Sequence, residues 1–264
     1  MNFSDIRRII RSIGLVTFFE IITDRILYNV LLFAVLVFVL GFLASQLSFL
    51  RPERIVLDFG FSAVNLSCSM IGVLVGAGLI SKEFDRRTAY TSLARPISRG
   101  QLIFGRFSGL CMVLVLNWAL LSGCFIGILA LSTEKFVDVL SASLFVGLVL
   151  ALLQSAVVAS IATFFSTFTT TSLSVIFSFA LFLVGHNISE LHAMAAKIEV
   201  PAARILLKAV ATGLPNLEYF DIGAKITYSL PVTWQFILGS ITYGLLIVAG
   251  FIMLGGITVR AREV

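Results

Sequence analysis

Charge is scarce in this sequence. Of its 264 residues, 12% are Asp, Glu, Lys or Arg, about half the ~25% share of a soluble globular domain. A soluble enzyme of this length covers its surface with charge, and a disordered chain is also richly charged, so both classes are excluded. Cysteine is rare too. Cys68, Cys111 and Cys124 show neither metal-ligand spacing nor a disulfide framework, which excludes a disulfide-rich secreted module. All three lie in apolar runs, where a thiol serves as a small buried apolar side chain. Several chemical signatures are missing: the phosphate cradle G-x-x-x-x-G-K-[ST], the zinc helix H-E-x-x-H and the nucleophile turn G-x-S-x-G. The chain therefore hydrolyses no nucleotide by a P-loop, and it reads as neither an enzyme nor a metalloprotein. His186, Glu190 and His192 lie close together at the end of an apolar run. They read as an interfacial hydrogen-bonding group rather than a metal site.

What the sequence does have is apolar length. Hydrophobic residues make up 59% of it, and the mean hydropathy is +1.05. A membrane β-barrel would show strands of about 10 residues with alternating polarity, whereas the apolar runs here are continuous. A spanning helix needs about 20 apolar residues to cross a hydrocarbon core ~30 Å thick. Charge-free runs cover 26–50, 59–81, 107–133, 139–189 and 226–259. The fourth holds 51 residues, too many for one span. Its weakest point is Phe165-Ser166-Thr167-Phe168-Thr169-Thr170-Thr171, whose hydroxyls compete for backbone hydrogen bonds and favour a turn. The reading is an all-α integral membrane protein with six spans, at 26–50, 59–81, 107–133, 139–164, 171–188 and 234–258.

Basic residues give the orientation, because Lys and Arg accumulate on the cytoplasmic side. The N-terminus, the loop 82–106 and the C-terminus hold 12 of the 19, so both termini are expected in the cytoplasm. The net charge of +5 does not point to nucleic acid, since the basic residues flank apolar runs, where topology and lipid headgroups account for them. Residues 1–25 hold four Arg and three acids, unlike a cleavable signal peptide. Phe3, Ile6, Ile10 and Ile13 share one face, with Arg7, Arg8 and Arg11 largely opposite. That pattern predicts an amphipathic helix lying on the cytoplasmic membrane surface.

No Asp, Glu, Lys or Arg lies inside the six expected spans. An intramembrane ionisable residue marks a proton relay or ion site, so this absence argues against an ion-coupled carrier. The amides Asn65, Asn117 and Gln154 remain inside. They either join helices by hydrogen bonds or line a substrate path. Glycines recur at four-residue spacing in Gly72/Gly76, Gly105/Gly109 and Gly123/Gly127, which allows close approach of helices.

The loop 82–106 carries six basic and two acidic residues. It reads as a short amphipathic helix that ends before Pro96. Glu83, Thr88, Leu93, Pro96-Ile97-Ser98-Arg99 and Gly105 resemble the coupling-helix region of ABC-2-type transporter permeases, particularly the branch linked to multicopper-enzyme maturation. Arg87 stands where that pattern usually has Gly, and Arg106 where it usually has Lys. A second resemblance lies in 189–233, expected to be an external loop with short helices. There Leu214-Pro215-Asn216-Leu217-Glu218-Tyr219-Phe220 is similar to the Pro-Asn-Leu-Glu-x-Phe piece that these permeases carry before the last span. Pro201 suits the first turn of a helix within that loop and Gly213 its end.

The resemblance implies a single ABC-2-type transmembrane domain over 1–264, paired as a homodimer in the bacterial inner membrane. A separate P-loop ATPase would hold ATP and Mg, with no cofactor on this chain. Glu83, Arg87, Thr88, Leu93, Pro96, Ser98 and Arg99 would form the element that engages it. Pro215, Asn216, Glu218 and Phe220 would shape the outer mouth, where the loop could cap the helices, act as a gate or contact a periplasmic protein. The implied activity is export. The alternative is a membrane anchor that transmits ATPase motion to external proteins without moving a substrate.

Overall fold

The computed structural model describes residues 3–46, 52–82, 99–132, 142–197, 200–228 and 230–261. Among these residues the structure is helical, with no strand. The helices are α1 (Phe3–Ile22), α2 (Arg25–Gln46), α3 (Pro52–Gly78), α4 (Arg99–Ser132), α5 (Ala142–Ser166), α6 (Thr171–Gly185), α7 (Ile188–Lys197), α8 (Pro201–Gly213), α9 (Gly223–Thr227) and α10 (Trp234–Ala261). Five of them, α2, α3, α4, α5 and α10, are long and apolar enough to cross a membrane.

The fifth apolar segment departs from the expected span at 171–188. The helix α6 stops at Gly185 after 15 residues, about 22 Å of rise. The chain then bends by 70° into α7. Only the bent pair taken together makes a sixth candidate span. The helix after loop 82–106 also begins earlier than the apolar run. It starts at Arg99, two turns before Phe107; the segment contains no proline, and the weak helix formers Gly100 and Gly105 are tolerated, Gly105 by its packing on α1.

α3 and α5 form the centre of the bundle, and α2 and α10 lie outside them. Glycine makes the α3–α5 contact close. A Cβ on Gly72 would lie 2.8 Å from the Ser155 carbonyl oxygen, and one on Gly76 3.0 Å from that of Ala159. Two apolar clusters fill the bundle. One holds Phe38, Phe61, Phe125 and Leu148, and draws in Leu217, Phe220 and Ile226 from the segment before α10. The other, toward the opposite end, holds Ile21, Leu27, Ile71, Leu79, Ile103 and Val259.

The turn between α5 and α6 falls at 167–170, inside the Ser/Thr-rich segment. Its hydroxyls bond the last carbonyls of α5: Thr167 Oγ1 donates to Phe164 O at 2.7 Å and Thr169 Oγ1 to Phe165 O at 2.8 Å. The same carbonyls also accept the turn's own N–H groups, Thr167 N–H to Phe164 O and Thr169 N–H to Phe165 O, each at 3.0 Å, so the helix end is doubly satisfied. Thr167 Oγ1 also lies 2.8 Å from Thr258 Oγ1, which ties the turn to α10.

Helix α1 has an apolar stripe, but a protein surface covers part of it. A Cβ on Gly105 of α4 would lie 2.8 Å from Ile13 Cβ, and one on Gly109 2.7 Å from Thr17 Cβ. Gly14 is buried against Ser108 and Gly105. The Ile13 end of the stripe therefore packs on α4, while Leu15, Val16 and Phe19 point outward; the side chains of Phe3 and Ile6 lie outside the described residues. Among the cysteines, Cys68 is buried and Cys111 partly so, but Cys124 is exposed, contrary to the uniformly buried role expected.

Candidate functional site

Two polar clusters stand at opposite ends of the bundle. The first surrounds the base of the 83–98 loop. Glu83, Arg87, Thr88, Leu93, Pro96 and Ser98 lie outside the described residues. Arg99 is the first residue of α4, and Lys82 is the last described residue before the loop. Both arms of the loop meet the C-terminal part of α1. Lys82 Nζ lies 3.4 Å from Asp24 Oδ2, and Arg106 Nη1 lies 3.9 Å from Glu20 Oε2. Arg106 Nη1 also donates to Leu79 O at 3.1 Å, which joins α4 to the end of α3. Asp24 has a second task, because its Oδ1 accepts the Ile26 N–H at 3.1 Å and so caps the start of α2. Between α1 and the two arms lies a cleft of about 370 Å³, lined by Thr17, Glu20, Asp24, Leu79, Lys82 and Arg106.

The three amides lie between these ends, inside the protomer. Asn65 and Asn117 are buried and Gln154 is fully enclosed. Asn117 Nδ2 donates to Cys68 Sγ at 3.4 Å, an α4-to-α3 contact. A stronger tie joins α4 to α5, where Trp118 Nε1 donates to Leu148 O at 2.7 Å. Both side-chain polar atoms of Gln154 lack a protein partner, as do the side-chain oxygens of Asn65 and Asn117. None of the three amides faces an open surface.

The second cluster holds the bend after α6, and the 214–221 segment builds it. The Leu217 N–H donates to Gly185 O at 2.8 Å. Glu218 Oε1 accepts the Ser189 N–H at 2.7 Å and the Ser189 hydroxyl at 2.8 Å, placing a carboxylate at the positive N-terminal end of α7. Asn216 shapes the segment, its Oδ1 accepting the Glu218 N–H at 2.9 Å. His186 Nε2 lies 3.1 Å from Asp221 Oδ2. His186 sits at the bend of the sixth candidate span, and Asp221 lies outside the spans. Burial alone would raise the Asp221 pKa, but His186 and the Gly223 N–H stabilise the carboxylate and leave it below its usual value.

The same segment is fastened to α10. Tyr243 Oη accepts the Asn216 N–H at 2.8 Å, and the Ser240 hydroxyl donates to Tyr219 O at 3.1 Å. Phe220 is fully buried and stacks on Tyr243 at 6.1 Å. Gly185 must be small here, since a Cβ would lie 2.8 Å from Pro215 O. The motif is thus a clasp joining the α6–α7 bend to α10.

A family of membrane proteins, described as ABC-2 family transporter protein, matches residues 42–231. This chain belongs to the ABC-2 family. Curated proteins give no match. ABC-2 permeases are the membrane components of ABC transporters and work with a partner ATPase subunit.

The ABC-2 match runs from within α2 to just before α10 and includes the loop and the clasp. It leaves out Glu20, on α1, and Asp24, in the short link from α1 to α2. The sequence reading overlooked those two acids. Their signal was present: two acids four positions apart at the end of an otherwise basic N-terminal segment. It also overlooked the His186–Asp221 pair and the part played by Tyr243. His186 faces Asp221, while Glu190 is exposed.

Proposed function

We propose that this ABC-2 chain is the permease subunit of an exporter powered by a separate P-loop ATPase, which binds ATP and Mg. The observation that carries this reading is that α3 and α4, the helices on either side of residues 83–98, pack against each other in the bundle. A push on the loop therefore reaches the core directly, as a two-state transporter requires. Both termini and this loop lie in the cytoplasm, and two copies pair in a bacterial inner membrane. Glu83, Arg87, Thr88, Leu93, Pro96, Ser98 and Arg99 form the docking element. The clasp lies at the outer mouth, where a periplasmic protein could bind.

The charge-reversing substitution Arg99→Glu tests the docking assignment. The variant is expected to reach the membrane normally but to lose ATPase association or stimulation. Normal stimulation would contradict the role given to Arg99.

One observation favours a second reading, a transmitter that moves no substrate. Asn65, Asn117 and Gln154 are enclosed within the protomer, so they do not offer a polar path on its surface. Asn117 joins α4 to α3 through Cys68, and an enclosed set of amides suits an interior that passes no substrate. The readings part on flux: an exporter moves a compound across sealed vesicles when ATP is supplied, whereas a transmitter hydrolyses ATP with no such flux.

A further inference from the structure

Helix α1 occupies a position that a surface anchor does not need. It packs along α4 through Ile13, Gly14 and Thr17 against Gly105, Ser108 and Gly109. Contacts this close, with backbone near backbone, allow little sliding. α1 and the start of α4 therefore move as one body. Past this seam, α1 reaches across to the other arm of the loop. Glu20 faces Arg106 on α4 at 3.9 Å, and Asp24 faces Lys82 beyond α3 at 3.4 Å. Asp24 also caps α2, so the same side chain touches the start of a third helix. The cleft of about 370 Å³ inside this ring leaves room for the arms to shift.

We propose that α1, with the short link that follows it, is a strut that ties the two arms of the 83–98 segment together, with Glu20 on the helix and Asp24 on the link as its positioning residues. The inference rests on the reading of that loop as the ATPase-docking element. Without the strut, a push on the loop could splay the arms apart and dissipate. With it, α3 and α4 are displaced together, and Asp24 passes part of the movement to α2. Both pairs are partly exposed, so each is weak and sensitive to salt.

The test uses the ATPase complex purified with the chain and placed in lipid vesicles. Asp24→Asn removes the charge and keeps a good helix cap; Lys82→Glu reverses the other partner, and Lys82→Arg preserves the charge. The stimulated maximal ATPase rate is expected to fall about threefold in D24N and K82E, the size that a weak ion pair supports. K82R should retain the wild-type rate. The KM for ATP and the amount of co-purified ATPase should stay unchanged in all three. Raising salt should slow wild type more than D24N. Wild-type rates in both D24N and K82E would overturn the strut while leaving the docking reading intact. An equal loss in K82R and K82E would also overturn it, since packing rather than charge would then be at work. Absence of any ATPase from the wild-type preparation would overturn the docking reading, and the strut with it.

Discussion

At the residue scale, glycine shows how far spacing can be read. Three pairs share the same four-residue interval, but only two of them face a backbone. A Cβ on Gly72 would press on Ser155 O at 2.8 Å, whereas Gly123 and Gly127 have nothing within 4 Å. Gly72→Leu is therefore expected to cost about 1–3 kcal/mol by overpacking, and Gly127→Ala to gain about 0.5–1 kcal/mol. Thermal unfolding of the two variants in mild detergent checks this, and equal losses would contradict the packing described. A pH test belongs to Asp221. The lowered Asp221 pKa adds stability above about 4 that is lost as pH falls through the lowered value. The stability gap between wild type and Asp221→Asn should therefore shrink as pH falls from about 6 to about 3. A gap that widened toward the acid end would remove the carboxylate's contacts as its cause.

At the element scale, the clasp explains why a short helix can end in a sharp bend. α7 starts on Glu218, so Glu218→Ala leaves the Ser189 N–H without its carboxylate partner, a loss of about 1 kcal/mol. Amide exchange across Ile188–Lys197 should quicken in that variant, while exchange in α10 stays as in wild type; no change in α7 would contradict the capping role. The long apolar helices and the Ser/Thr turn were legible because apolar length and hydroxyl content are local properties. Pro201 and Gly213, the ends of α8, were legible for the same reason. The bend was not. Gly185-His186-Asn187 interrupts the run only briefly, and its partners Leu217, Glu218 and Asp221 lie about 30 residues further on. Hydropathy reports an apolar segment and is blind to such a contact. α1 makes the complementary point. Its amphipathic pattern predicted a membrane-surface helix and gave no sign that Ile13, Gly14 and Thr17 would pack on Gly105 and Gly109 of α4.

At the scale of the whole molecule, two fastened ends enclose a packed apolar middle. One end joins α1 to both arms of the 83–98 loop, and the other joins the α6–α7 bend to α10. The family, and with it the broad transport role, was legible from loop residues whose contacts were not. Motif spacing survives in sequence, whereas ion pairs such as Lys82–Asp24, 58 positions apart, appear only on folding. The central claim is that this chain works as the membrane half of an ATP-driven machine. The most direct test is to purify the tagged chain from its native host in mild detergent and identify its partners by mass spectrometry. The account predicts a stoichiometric P-loop ATPase. Isolation of the chain alone, under conditions that keep comparable membrane complexes whole, would contradict it.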